Sequence, residues 1–369
     1  MKIYLVGGAV RDKLLGLPVK EHDYVVVGAS EDEILNLGYQ RVGKEFPVFL
    51  HPKTRDEYAL ARMERKTGPG YKGFAFDTSP KVTLEEDLLR RDLTINAMAE
   101  DDNSTLIDPY GGKKDLDKKI LRHVSAAFSE DPVRILRVGR FLARYHYLGF
   151  TVAPETMQLM RDMVSAGEVD ALVAERVWKE LERALTEKNP EKFFEVLQQC
   201  GALPILFPQL SINGSGMRAL SDACNLTKDS AVRLAALLHD YADGDKKQLS
   251  EICKRYRIPN GHHELAKLTA AYHANVQRAR ELSADEIVDL FARLDIYRRE
   301  ERFEAFLIAC QAIYPGIESN ISLLRTCAKA AKSYPVQELI AQGFDGAELA
   351  EQLKSKRRER IAHVIARSP

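Results

Sequence analysis

The sequence predicts an α/β head followed by an all-helical remainder, and three observations carry that expectation. Residues 1 to about 120 alternate helical stretches with short β-rich runs at 3–6, 24–27, 48–50, 57–62 and 105–107, an alternation typical of α/β units. From about 121 onward almost every segment repeats its apolar residues at helical spacing, for example 175–185, 191–199 and 231–239. A double glycine, Gly7-Gly8, stands between the first apolar run and the first helix. No internal repeat and no low-complexity segment interrupts this order.

The first element, Lys2 to Val6, reads as a buried strand, and Ala9 to Leu15 reads as a helix closed by Gly16 with Pro18 beyond it. Glycine lets the chain turn sharply and lets a ligand approach the main chain. The helix start beyond it offers unpaired N–H groups to an anion, and Arg11 adds a forked donor near that end. Gly8 and Arg11 are therefore candidates for a phosphate cradle. A glycine pair alone is more often an ordinary tight turn; the acidic pair that comes next in the chain shifts the balance.

Glu21 and Asp23 stand at the start of the next run, Tyr24-Val25-Val26-Val27. In a strand, residues i and i+2 point to one side, so the two carboxylates converge while His22 points away. Like charges held that close call for a cation. Magnesium takes oxygen ligands, commonly one or two carboxylates plus substrate phosphates. A cradle followed by such a pair suggests an enzyme that holds a nucleoside triphosphate and moves a nucleotidyl group, with Glu21 and Asp23 as catalytic metal ligands. Glu57, on a later run, is a weaker third acidic candidate.

Residues 84–99 place Leu88, Ile95 and Ala99 at helical intervals, with Arg91, Asp92 and Asn96 able to project towards a nucleotide. The segment 64–83 holds Lys66-Thr67-Gly68-Pro69-Gly70-Tyr71-Lys72-Gly73-Phe74, too polar and glycine-rich for core, and reads as a loop beside the site. Residues 129–144 open a helix at Pro132, with Ser129, Glu130 or Asp131 as its cap. Asp131, Arg134, Arg137 and Arg140 step by three and form a slowly turning polar stripe, backed by Val133, Leu136 and Phe141.

These four blocks together resemble the class II tRNA nucleotidyltransferases, the CCA-adding enzymes of the DNA polymerase β superfamily. The resemblance covers about the first 200 residues well. It implies a polymerase β-like nucleotidyltransferase head with a mixed sheet over 1–120. A helical neck over 121–200, a body over 201–310 and a tail over 311–369 come after it. It implies that Gly8 and Arg11 touch the nucleotide, that Glu21 and Asp23 hold Mg2+, and that Arg91, Arg137 and Arg140 serve ATP or CTP. It makes Glu130-Asp131-Pro132-Val133-Arg134 the family's base-selecting block, and the 66–74 stretch the flexible loop kept by enzymes that add the final A. The family's first metal ligand is usually Asp; Glu21 stands here, with the same ligand chemistry.

The base-selection role that the resemblance implies agrees with hydrogen-bond chemistry. Cytosine and adenine show an exocyclic amine beside a bare ring nitrogen. An ionised Asp only accepts and an Arg only donates, so Asp131 takes the amine and Arg134 the ring nitrogen. Uracil and guanine show the reverse pattern, and each mismatched buried group costs ~1–3 kcal/mol. The competing reading is a local Asp131–Arg134 ion pair.

Lys+Arg and Asp+Glu are each 54, so the net charge is zero, and a tRNA partner must be held by local basic patches. Candidates are the arginine stripe and the tail run Lys354, Lys356, Arg357, Arg358 and Arg360, which reads equally as a solvated terminal helix. No apolar run approaches a membrane span, Met1-Lys2-Ile3 enters a strand, and five scattered cysteines lack metal spacing. A cytoplasmic protein with reduced thiols is expected. Leu237-Leu238-His239-Asp240 falls where related proteobacterial enzymes carry the core of an HD phosphohydrolase domain, but lacks companion ligands, and reads as a remnant. The leading expectation is template-free addition of CCA to tRNA from CTP and ATP. A-adding, CC-adding and poly(A)-adding enzymes, or a non-catalytic RNA-binding homologue, are the alternatives.

Overall fold

The computed structural model describes residues 1–43, 48–66 and 74–367. The chain forms two compact units, one of residues 1–180 and 192–206 and the other of residues 181–191 and 207–369.

The first unit begins with the α/β head. Strand β1 (Lys2–Val6) leads through helix α1 (Gly8–Leu14) to β2 (Asp23–Val27). Helix α2 (Glu31–Asn36), β3 (Gln40–Val42), β4 (Val48–Leu50), β5 (Glu57–Leu60) and the hairpin β6 (Met63–Lys66) and β7 (Phe74–Asp77) come next. Helix α3 (Leu84–Leu89), β8 (Ala99–Glu100) and β9 (Leu106–Ile107) complete the head. Seven strands make one mixed sheet in the order β3-β4-β5-β2-β1-β8-β9. The β1–β2 pair is antiparallel with Val6 opposite Asp23, and β2–β5 is parallel with Asp23 opposite Glu57. The alternation of side chains along each strand gives the sheet two faces. One packs Val6, Val25, Ala61, Leu84 and Leu88; the other packs Val26, Ile34, Phe49 and Leu60.

The structure departs from two of these expectations. Residues 84–99 do not form one helix: α3 stops at Leu89, residues 94–96 make a 3-10 turn, and Ala99 is in β8. The reason is Asp92, whose buried carboxylate accepts from Leu93 N at 2.8 Å and from Asn96 Nδ2 at 2.9 Å. Such local bonds compete with the helix, and the departure lets Leu93, Ile95, Ala97 and Met98 all enter the core. Within 64–83, the segments β6 and β7 pair as an antiparallel hairpin; residues 67–73, where the loop was expected, lie outside the described residues.

Helix α4 (Gly112–Asp117), the short parallel pair β10 (Ile120–Leu121) and β11 (Thr151–Val152), α5 (Val133–Tyr145) and α6 (Pro154–Ser165) extend the first unit. Helix α7 (Ala174–Thr186), α8 (Glu191–Cys200) and α9 (Leu203–Leu206) come after them. Pro132 caps α5, and Asp131 Oδ1 accepts from Val133 N at 3.1 Å, as the residue types predict. The face behind the stripe is core: Val133, Leu136 and Phe141 are all buried.

The second unit is helical: α10 (Ser215–Leu226), α11 (Ser230–Leu237), α12 (Lys246–Arg255), α13 (Asn260–Gln277), α14 (Ala284–Leu294), α15 (Glu300–Ile313), α16 (Glu318–Lys332), α17 (Val336–Ala341) and α18 (Gly346–Arg367). Arg233, only 2% exposed, donates to the carbonyls of Leu185, Glu187, Thr227 and Cys224. It thereby satisfies the orphan carbonyls of two helix ends. No helix among the described residues is long and apolar enough to cross a membrane.

Candidate active site

The site lies in the first unit, where β1 gives way to α1. Gly7 takes φ 68° and ψ −123°, a region open only to glycine in practice. A Cβ built on Gly7 would lie 2.8 Å from Arg91 Nη1. The turn therefore needs glycine twice, for its backbone and to admit Arg91. That guanidinium is aimed by Asp87, which accepts from Arg91 Nη2 at 3.1 Å, while Arg91 Nη1 donates to Asn96 O at 3.3 Å. Asp87 is fully buried. Burial alone would push its carboxyl up, but Arg91 and Arg90 together hold it below the ordinary carboxylate range.

Glu21 sits in coil just before β2, and Asp23 is the first residue of β2. Strand alternation therefore does not by itself set their convergence. The charges still act on each other: burial, and then the Glu21 charge, push Asp23 above its ordinary value, while Arg91 pulls it down. A carboxylate raised by a second one nearby belongs to a donor set suited to a divalent cation. Glu57 is alongside Asp23 in the sheet. Among the described residues, no three His, Cys, Asp or Glu side chains gather closely enough to hold a metal by themselves.

Arg11 does not project from the helix start. It is 3% exposed, donates to Asp12 Oδ1 at 2.9 Å and to the side-chain oxygen of Asn96, and lies 5.2 Å from the ring centres of Phe141 and Tyr145. Asp12 in turn accepts from Arg144 at 3.0 Å and from the Tyr145 hydroxyl at 2.7 Å. Helix α5 thus closes over the cradle from below. A Cβ on Gly8 would meet Arg11 Nη2 at 3.3 Å, so the buried guanidinium lies directly under the glycine turn.

The remaining candidates join one network. Asn96 links Arg11 to Asp92, and Arg137 Nε donates to Asp92 Oδ2 at 2.6 Å. Burial opposes the Asp92 charge, yet Arg137 and Asn96 hold it well below the usual carboxylate range. Arg137 is raised in return, chiefly by Asp92. Arg140 donates to Glu180 Oε2 at 2.5 Å and lies 4.4 Å from the Phe141 ring centre. Burial lowers Arg140, and Glu180 opposes that shift.

Asp131 and Arg134 are tied to other partners. Arg176 forks onto the Asp131 carboxylate with bonds of 2.9 and 2.7 Å. Arg134 donates to Ala127 O at 2.8 Å and to Arg90 O at 2.7 Å. Sequence reasoning missed Asp12, Asp87, Arg176 and Glu180. Asp12 had a signal, since it closes the glycine block; Arg176 and Glu180 sit four apart on a helix that reads as an ordinary mixed-charge face.

In the second unit, His239 is buried, with Nδ1 at 2.8 Å from Ala236 O and its ring edge-on to His273. His273 Nδ1 is 2.7 Å from the Tyr314 hydroxyl, and Asp240 accepts from Ser215 Oγ. The tail cations are paired internally: Lys354 with Asp289, Lys356 with Glu359, Arg358 with Asp285, Arg360 with Ser333, and Arg357 over the Tyr297 ring.

A mixed-sheet head carrying a glycine turn, two carboxylates and a fixed arginine defines the nucleotidyltransferase class. Residues 3–122 match the family model described as "Poly A polymerase head domain", and residues 149–212 match "Probable RNA and SrmB- binding site of polymerase A". The chain is 47% identical to the multifunctional CCA protein of Thioalkalivibrio sulfidiphilus, covering 99% of each chain. It is also 47% identical to that of Haemophilus influenzae, covering 97% of each. It belongs to the family of multifunctional CCA proteins. The first of these alignments runs over 405 positions against 369 residues here, so that relative carries segments without a counterpart in this chain. The fold is similar to that of a CCA-adding enzyme in its apo form, with TM-score 0.75 at 23% identity over 100% of this chain and 92% of the other. It is also similar to the Thermotoga maritima CCA-adding enzyme complexed with tRNA, with TM-score 0.72 at 22% identity over 99% of this chain and 91% of the other.

Proposed function

We propose that this chain adds the terminal CCA to tRNA from CTP and ATP, joining one nucleotide at a time and releasing pyrophosphate. The observation that carries the chemistry is the Glu21–Asp23 pair beside the Gly7 turn, with Arg91 held next to Gly7 and its charge acting on Asp23. The tRNA 3′ oxygen bonds to the α-phosphorus of the nucleotide, and the bond from that phosphorus to the pyrophosphate oxygen breaks. Glu21 and Asp23 would hold Mg2+, which supplies charge neutralisation on the triphosphate and a more acidic 3′ hydroxyl when bound. Arg91, preset by Asp87 and Asn96 O, offers a cation to the triphosphate without first having to be ordered.

Asp131 and Arg134 read the base edge in this reading, the former accepting from the amine and the latter donating to the ring nitrogen. Arg134 then exchanges one of its two carbonyl partners, Ala127 O or Arg90 O, for the base. That exchange gives the base edge of C and A a matched partner. It is costly for U and G, which leave a buried donor and acceptor unmatched. Arg137 and Arg140 support the site through Asp92 and Glu180. The cytoplasm is the compartment that suits five unpaired cysteines, four of them buried.

The test is incubation with tRNA lacking its 3′ end, with each labelled nucleotide singly and in pairs, and then sequencing of the product. CCA made only when CTP and ATP are both present supports the reading; A-only, CC-only or poly(A) products replace it with a narrower activity. Asp23→Ala should abolish addition and leave tRNA affinity nearly intact; magnesium-dependent turnover near that of the parent would refute the metal assignment.

A further inference from the structure

Asp131 does not read a base unaided. Its Oδ1 accepts from Val133 N at 3.1 Å and from Arg176 Nη1 at 2.9 Å, and its Oδ2 accepts from Arg176 Nη2 at 2.7 Å. An ionised carboxylate has about four lone-pair sites, two on each oxygen. The three bonds fill both sites of Oδ1 and one of Oδ2. What remains is one acceptor direction, on Oδ2. The pair is partly open, with side-chain exposures of 18% for Asp131 and 27% for Arg176, so a base edge can reach it.

We propose that Arg176 is a specificity-determining positioning residue: its fork locks the Asp131 carboxylate so that a single oxygen lone pair faces the incoming base. This rests on the base-reading role of Asp131. The physical reason is the freedom of an unclamped carboxylate. A carboxylate that can turn about its own axis follows whatever donor a base presents. It accepts from the amine of cytosine or adenine, or swings to the ring N–H of uracil or guanine. A carboxylate held at three points cannot make that second move. The backbone N–H at Val133 fixes one oxygen from α5, and the fork from α7 fixes the plane. Lysine at position 176 keeps the positive charge but, as a point donor, cannot hold both oxygens in one plane.

The experiment measures kcat/KM for all four nucleotides with tRNA ending in C or CC, in Arg176→Ala, Arg176→Lys, Asp131→Ala and the Asp131→Ala/Arg176→Ala double variant. The expected result is a fall of about ten-fold or more in the CTP:UTP and ATP:GTP ratios for Arg176→Ala. A smaller fall is expected for Arg176→Lys, and no further loss of ratio in the double variant beyond Asp131→Ala alone. A merely structural arginine would lower all four rates by one factor and leave the ratios unchanged, which overturns the proposal. If Asp131→Ala lowers the ratios and neither Arg176 variant does, the clamp is refuted while base reading by Asp131 stands. Ratios unmoved in Asp131→Ala overturn both. Should Arg176→Ala fail to fold, Arg176→Lys alone decides, since an unchanged ratio there refutes the need for a planar fork.

Discussion

Replacing Gly7 by alanine separates the two glycines of the cradle. At φ 68° and ψ −123°, a side chain is forced into a region that costs a non-glycine residue ~1–3 kcal/mol. The new Cβ also falls 2.8 Å from Arg91 Nη1, so the guanidinium must leave its place against Asn96 O. Gly8 begins α1, and its Cβ would meet only the Arg11 guanidinium, with Nη2 the nearest atom at 3.3 Å. For a unit of this size, each kcal/mol shifts Tm by about 2–4 °C, so Gly7→Ala should lower the melting of the first unit by ~2–12 °C. Displacement of Arg91 should also lower kcat/KM for CTP by at least ten-fold, about 1.4 kcal/mol of transition-state stabilisation. Gly8→Ala should leave Tm within about a degree and raise the KM for CTP and ATP through lost approach to the main chain. Differential scanning calorimetry and steady-state addition with each variant give both numbers. Gly7→Ala with parental Tm and parental kcat/KM would refute the argument. So would Gly8→Ala as the more damaging of the two changes to Tm.

The site and the core give three further outcomes. Asp23 has its pKa raised in the folded protein, so its ionisation opposes folding: stability from this group is full below its unfolded pKa and is lost as pH rises through the folded one. Asp23→Asn should therefore raise Tm in metal-free buffer at neutral pH, lose that advantage in acid below the ordinary aspartate range, and abolish addition; a lower Tm at pH 7 would contradict the assignment. Arg233→Met removes the donor to four carbonyls at a 2% exposed site. It should destabilise the second unit by roughly 3 kcal/mol or more, since each orphaned buried group costs ~1–3 kcal/mol, and chemical denaturation that leaves its midpoint unchanged would overturn this. For the His239-Asp240 pair, we expect no phosphatase or 2′,3′-cyclic phosphodiesterase activity with nickel, manganese or magnesium. Hydrolysis that is lost in His239→Ala would show that a metal site assembles there.

What the sequence determined by itself was local. The first strands and the first helix of the head, the cap of α5 and the apolar back of the arginine stripe all arise from patterns within a dozen residues. So does the order glycine turn, acidic pair, polar segment, arginine helix, because local chemistry writes each block contiguously. The tertiary structure decided what those groups are bound to. Arg11 has the residue type and place of a phosphate ligand. Whether it points outward depends on Phe141, Tyr145 and Asn96, all far along the chain, and it is buried among them. The 84–99 segment has helical spacing, yet the buried carboxylate of Asp92 ends the helix, because a charge inside the core must be paired and Arg137 supplies the partner. Asp131 and Arg134 stand three apart, the spacing of a local ion pair, but each takes longer-range partners. A side chain's hydrogen-bond partner is set by what packs against it in space, and that information enters only when distant segments meet.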